Sequence, residues 1–239
     1  MIEYSSYIKS SISMSDDGRL QTAVKKISHH IEIVIESGTY LGAGSTKMLI
    51  EIFNDQTSFI KLITIEVNKK FHKIAKQNLN KYAKVECING LSVTFSEAKD
   101  FILNDEYLKN HKAYDTIFID NIEDPISFYL NELNGQLNSN NRVGFFKRIR
   151  LKPFIKENVL IQSINRYKQN RLLIVLDSAG GIGYLEFKKV LQVMKNENFF
   201  ILLDDIHHIK HFRSFQDLKN NPDANIIDFS IEQGWALVE

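Results

Sequence analysis

Three aspartates carry the most pointed chemistry in this sequence. Asp177 ends the apolar run RLLIVLD, and Asp204 and Asp205 end the run FFILLDD. A near-continuous apolar run suits a strand buried on both faces. One helical stretch separates the two runs, and adjacent strands of a parallel sheet end at the same edge, so the three carboxylates are expected to meet in one cleft. Like charges there repel unless a cation neutralises them. A hard divalent cation, most simply Mg²⁺, answers that need, which makes Asp177, Asp204 and Asp205 candidate metal ligands. Capping of the next helix explains one aspartate equally well, but is strained as an account of all three. His207 and His208 follow directly, and His211 lies one helical turn after His207. A histidine there titrates near neutral pH and would serve as a base. As metal ligands, His207 and His208 would favour a transition metal instead. Asp177, His207 and His208 are therefore the candidate catalytic groups.

The sheet that must position them begins in IEIVIESGTYLGAGSTKMLIEIF, residues 31–53. A β-branched run ends at Glu36, and a turn follows with Gly38, Gly42 and Gly44. Ser45 and Thr46 then open a helical pattern with Met48, Leu49, Ile52 and Phe53 on one face. Glycines let backbone N–H groups approach a ligand, and the helix N-terminus adds partial positive charge. The spacing G-x-x-x-G-x-G is not the dinucleotide fingerprint G-x-G-x-x-G. One βαβ period further on, FIKLITIEV (59–67) reads as a second strand ending at Glu66. A carboxylate at that place can accept hydrogen bonds from both hydroxyls of a ribose.

Residues 69–80 and 93–103 read as helices, and 85–92 as the third strand. Before the first strand, Asp16 or Asp17 caps a helix with Leu20, Ala23, Val24 and Ile27 inward. YDTIFID (114–120) reads as a strand ending in Asp120, but the distance from Asp120 to Asp177 is about two βαβ periods. Residues 104–170 are therefore expected to be an insertion or lid between the third and fourth core strands, rich in aromatics (Phe128, Tyr129, Phe145, Phe146, Phe154). A packed subdomain or dimer arm would use those aromatics equally well, and Asp120 ending the true fourth strand is the alternative. Residues 224–232 and 234–239 read as a closing strand pair.

The run E-S-G-T-Y-L-G resembles motif I of the class I S-adenosylmethionine (SAM)-dependent methyltransferases. The resemblance implies a doubly wound, Rossmann-like seven-stranded α/β sheet as one domain over 1–239. It also implies cofactor contacts from Glu36, Gly38, Thr39, Tyr40, Gly42, Ser45 and Glu66, with Glu36 at the ammonium group and the segment carrying Gly90 and Ser92 at the adenine. The aspartate pattern resembles the metal-dependent O-methyltransferases of the catechol O-methyltransferase type. ESGTYLG, LDSAGGIGYLEF and ILLDDIHHIKHF look closer still to a bacterial branch that tailors sugars, macrolides and cephalosporin-type compounds. This likeness covers roughly 31–103 and 171–239. It implies metal-assisted methyl transfer to a hydroxyl of a small molecule, a sugar or natural-product intermediate. The catechol enzymes carry a lysine base three residues after the fourth-strand aspartate, where this sequence has Gly180.

Composition narrows the field. The 239 residues balance 30 Lys and Arg against 29 Asp and Glu, for a net charge of +1. No global basic field then points to nucleic acid. The single cysteine, Cys87, excludes an internal disulfide framework. No apolar stretch has membrane length and no signal-peptide pattern opens the chain, so a cytoplasmic location is expected, with a homo-oligomer left open. Two other classes compete: an NAD-type oxidoreductase, which would want G-x-G-x-x-G, and a SAM-binding regulatory protein, which would want a degraded carboxylate set. A nucleic-acid methyltransferase would want a basic face.

Overall fold

The structure, a computed structural model, describes residues 14–138, 155–178 and 180–239. Helix α1 (Gly18–Ile27) is capped by Asp17, whose side chain accepts from the backbone N–H groups of Arg19 and Leu20. Its buried residues are Leu20, Ala23, Val24 and Ile27, the face expected from their spacing. Asp17 also accepts from the Trp235 indole at 2.6 Å, which fastens α1 to the last strand.

Strand β1 (Ile33–Ser37), helix α2 (Ser45–Phe53), β2 (Lys61–Glu66), α3 (Lys69–Asn78) and β3 (Val85–Asn89) form the first half of the sheet. Helices α4 (Phe95–Asn104), α5 (Glu106–Lys109), α6 (Pro125–Asn138) and α7 (Val159–Tyr167) follow before β4 (Leu172–Leu176). Then come α8 (Gly183–Val193), β5 (Phe199–Leu203), α9 (Phe212–Asn220), β6 (Ile226–Ser230) and β7 (Trp235–Val238). The strand order is β3-β2-β1-β4-β5-β7-β6. The first five strands run parallel, while β7 pairs antiparallel with both β5 and β6. This is the doubly wound seven-stranded sheet of the class I methyltransferase type. Its order reverses between β1 and β4, so the crevice at their C-terminal ends is where such a sheet receives ligands.

Strands β1 and β4 are buried at every position, as their apolar runs require. One core cluster packs Ile33, Ile35, Leu172, Ile174 and Leu176 against α7 and α8, and a second packs Val34, Leu173, Val175 and Trp235 against α1 and α2.

Residues 114–120 are not a strand of the sheet, contrary to the reading of YDTIFID. The place beside β1 is taken by β4, in register Ile33 to Leu172. Phe118 makes only an isolated parallel bridge to His208. Ile117 and Ile119 are buried in a satellite cluster with Tyr129, Leu133 and Ile209. The alternation that suggested a strand is used to pack one side of a loop against helices. Of the aromatics expected to cover a ligand, Phe145, Phe146 and Phe154 lie outside the described residues. Among the described residues, no helix is long and apolar enough to cross a membrane.

Candidate functional site

A cavity of about 400 Å³ opens at the C-terminal ends of β1, β2 and β4. Ser37, Gly38, Tyr40 and Glu66 line one end, with Gly90, Leu91 and Ser92 beyond β3. Asp177, Ser178, Lys210 and three residues of α6, Tyr129, Glu132 and Leu133, line the other. Helix α6 thus brings the stretch before β4 onto the site.

Glu66 ends β2 with both carboxylate oxygens engaged by backbone. Oε2 accepts from the Tyr40 N–H at 2.8 Å and Oε1 from the Asn68 N–H at 2.7 Å. Burial raises its pKa and these two bonds oppose the rise. Each oxygen keeps a lone pair for a ligand hydroxyl. Tyr40 sits in the left-handed region (φ 51°) with its ring edge-on to Phe71, 4.9 Å between centroids. Glu66→Ala is expected to weaken SAM binding at least tenfold, the equivalent of about one charge-assisted hydrogen bond of 1.5–3 kcal/mol. Calorimetry checks this, and unchanged affinity would overturn the expectation of a ribose contact at Glu66.

Four residues expected at the cofactor shape its loop from behind and are absent from the cavity lining. Glu36 is fully buried: Oε1 accepts from Ser45 Oγ at 2.8 Å, and Oε2 from Thr46 Oγ1 at 2.6 Å and Thr64 Oγ1 at 2.7 Å. Its carboxylate ties β1, β2 and the start of α2 together, so it is not placed to meet an ammonium group. Burial raises its pKa against those three hydroxyl bonds. Ser45 is used by Glu36, and Thr39 Oγ1 lies 2.5 Å from Thr64 Oγ1. Gly42 (φ 67°) faces α3, where a Cβ would press on the Leu79 side chain.

Three serines that the sequence reading did not join share one buried partner. Ser37 Oγ and Ser178 Oγ donate to Glu186 Oε2 at 3.1 and 2.7 Å, and Ser92 bonds the same carboxylate. Burial raises the pKa of Glu186, and these hydroxyls pull it back. With their hydrogens turned toward Glu186, Ser37, Ser92 and Ser178 offer oxygen lone pairs to the cavity that all three line.

The three aspartates do converge, but the cation among them is a side chain. Lys210 Nζ lies 3.0 Å from Asp177 Oδ1, 3.0 Å from Asp205 Oδ2 and 3.7 Å from Asp204 Oδ2. Burial, then the charge of Asp177, pushes the pKa of Asp204 well up. Burial raises Asp177 against the charge of Lys210. For Asp205, burial is outweighed by Lys210, which holds its carboxyl below the usual range. The ammonium of Lys210 is itself pushed up, its burial overcome by the three aspartates. The expectation of an open divalent site is corrected here: with Lys210 at their centre the aspartates do not fit one, and among the described residues no group of three or more His, Cys, Asp or Glu is placed to hold a metal ion.

The histidines are placed away from the chemistry expected of them. His208 Nδ1 accepts from the Lys210 N–H at 3.1 Å, which leaves Nε2 as the protonated nitrogen, donating to Asp120 Oδ2 at 3.0 Å. With both nitrogens used, His208 positions the Lys210 segment and has no lone pair free for a base. His207 lies against the backbone of Gly234, outside the cavity lining. His211 is fully buried, with Nδ1 3.2 Å from Ser214 Oγ. Burial lowers the pKa of both His207 and His211.

Tyr129 closes the network. Its hydroxyl donates to Asp120 Oδ2 and accepts from the Asp120 N–H, both at 3.2 Å. Tyr129→Phe is expected to cost about 1 kcal/mol of stability and to loosen α6. The checks are a lower melting temperature and, on the methyl-transfer expectation, an acceptor KM that rises while SAM affinity holds; no change in either would make this network incidental.

No family model matches the chain, and no curated protein matches it significantly. Among solved structures it is similar to cofactor-bound Rv0187 from MTB, at 13% identity, TM-score 0.47, over 98% of this chain and 84% of that one. It is similar to an O-methyltransferase from Bacillus cereus in complex with SAH, at 14% identity, TM-score 0.44, over 92% and 76%. A precorrin-6y C5,15-methyltransferase from Geobacter metallireducens overlaps at 11% identity, TM-score 0.43, over 96% and 90%. The overlap at these scores is loose, and the strand order carries the fold assignment.

Proposed function

We propose that the chain transfers the methyl group of SAM to an oxygen of a small hydroxylated molecule such as a sugar or natural-product intermediate. The observation that carries this reading is the single cavity joining Glu66 and the glycine-loop backbone to Asp177, Glu132 and Lys210. When bound, SAM supplies an electrophilic methyl on a sulfonium. Glu66 holds the ribose, while Ile65, Val67, Phe71 and Leu91 offer apolar contact to a flat base. The excess of carboxylates around the cavity favours a cationic cofactor.

At the other end, Asp177 and Glu132 are the carboxylates within reach of an acceptor hydroxyl. Burial raises the pKa of both, which brings each nearer the range useful for taking a proton. Lys210 keeps positive charge beside the oxygen as that proton leaves. Helix α6, from the stretch before β4, acts as a cover that excludes water and orients the acceptor.

The test is transfer of label from methyl-labelled SAM to a panel of catechols, sugars and hydroxylated natural products. O-methylated product is expected, with kcat falling in Asp177→Asn and Glu132→Gln while SAM affinity holds. SAM binding without transfer to any acceptor would favour a regulatory SAM-binding protein instead.

A further inference from the structure

The centre of the carboxylate cluster is already filled. Two of the three ammonium N–H groups of Lys210 donate to Asp177 and Asp205, and Asp204 lies within ion-pair distance of the same nitrogen. The Lys210 side chain is only 5% exposed. Its stem is held from behind, because Gly183 leaves no room for a Cβ between α8 and Lys210 Cγ. Its backbone N–H is fixed by His208, which Asp120 in turn orients. The lysine is therefore built into the cluster.

A divalent ion entering among these carboxylates would have to displace that ammonium from its two hydrogen bonds. Otherwise it would have to sit within a few ångströms of another positive charge, where repulsion is strong. His208 cannot help it, since both of its ring nitrogens are already engaged. We propose that Lys210 is a resident cation that takes the place of a divalent metal at Asp177, Asp204 and Asp205. The carboxylates are neutralised in part from within the chain, and Lys210 keeps Asp177 in place at the cavity wall.

On the methyl-transfer reading, turnover would then be indifferent to chelators. The cluster itself is tested without turnover, so a failure of this inference and a failure of that reading remain distinguishable. The full chain is titrated with Mn²⁺ and free Mn²⁺ is followed by electron paramagnetic resonance. The wild type is expected to take up none at the cluster up to millimolar concentration. Lys210→Ala, which empties the centre and leaves three carboxylates, is expected to gain one saturable site, lost again when Asp204→Asn is added. A wild-type site for one Mn²⁺ that Asp204→Asn or Asp177→Asn abolishes would overturn the proposal. That wild-type comparison decides the matter even if Lys210→Ala does not fold.

Discussion

Lys210→Met is expected to destabilise the protein by about 3 kcal/mol at neutral pH, the low end for breaking a buried ion pair, because it leaves half-buried carboxylates without their counter-charge. The methionine retains most of the aliphatic volume, so the loss reports charge more than packing. The pH dependence has a definite sign. The folded-state pKa of Lys210 is raised above its ordinary value. Its contribution is therefore fully present at neutral pH and fades as pH rises through the folded-state value, and in acid it goes as the aspartates that raise it take up protons. In the variant, the carboxylates hold their protons more tightly in the folded state than in the unfolded one. Their penalty is absent below the ordinary carboxylate pKa and grows as pH rises through the elevated one. The variant should thus approach wild type in acid and fall behind toward pH 7. Denaturant midpoints across pH check this, and a deficit equal at all pH values would mean that lost packing explains it.

Gly38→Ala is expected to cost about 3 kcal/mol or more, from strain of about 1–3 kcal/mol at positive φ and overlap of about 1–3 kcal/mol. Gly38 has φ 98°, and a Cβ there would collide with the Asp177 carbonyl. The glycine is thus required first by the approach of the β1 tip to the β4 tip, where Asp177 N–H donates to Ser37 O at 3.0 Å. Gly18→Ala is the control, because nothing lies within 4 Å of a Cβ there and the residue starts α1. Thermal unfolding of the two variants gives the contrast; equal melting temperatures would contradict the account of Gly38.

Much of the fold was legible because its signals are local and redundant. Asp17 followed by Leu20, Ala23, Val24 and Ile27 is both a cap and a stripe. The runs ending in Glu66, Asp177 and Asp204 are buried strands whose ends follow the βαβ period. YDTIFID misled because alternation records one buried face and does not say whether a sheet or a set of helices covers it. The site was half legible. Convergence of Asp177, Asp204 and Asp205 followed from strand order, but the identity of their cation did not, because Lys210 reaches back across a turn that contains Asp205 in the left-handed region (φ 55°). That return is tertiary geometry. The one sequence signal was the lysine in DDIHHIK, five residues after Asp205. Glu36 was misplaced for a related reason: position beside the glycine loop does not tell which side of it a carboxylate faces, and the hydroxyls of Ser45, Thr46 and Thr64 decide that. Glu132 and Tyr129 came from a stretch with no resemblance to guide it, and only the packing of α6 brings them to the cavity.

On the proposed function, this cavity binds SAM through the sheet edge and needs no metal to do so. Isothermal titration of the full chain with SAM, in EDTA and again in added Mg²⁺, tests it most directly. One SAM per chain is expected, with the same affinity in both conditions and weakened at least tenfold by Glu66→Ala. Absence of SAM binding, or binding that appears only with Mg²⁺, would contradict it.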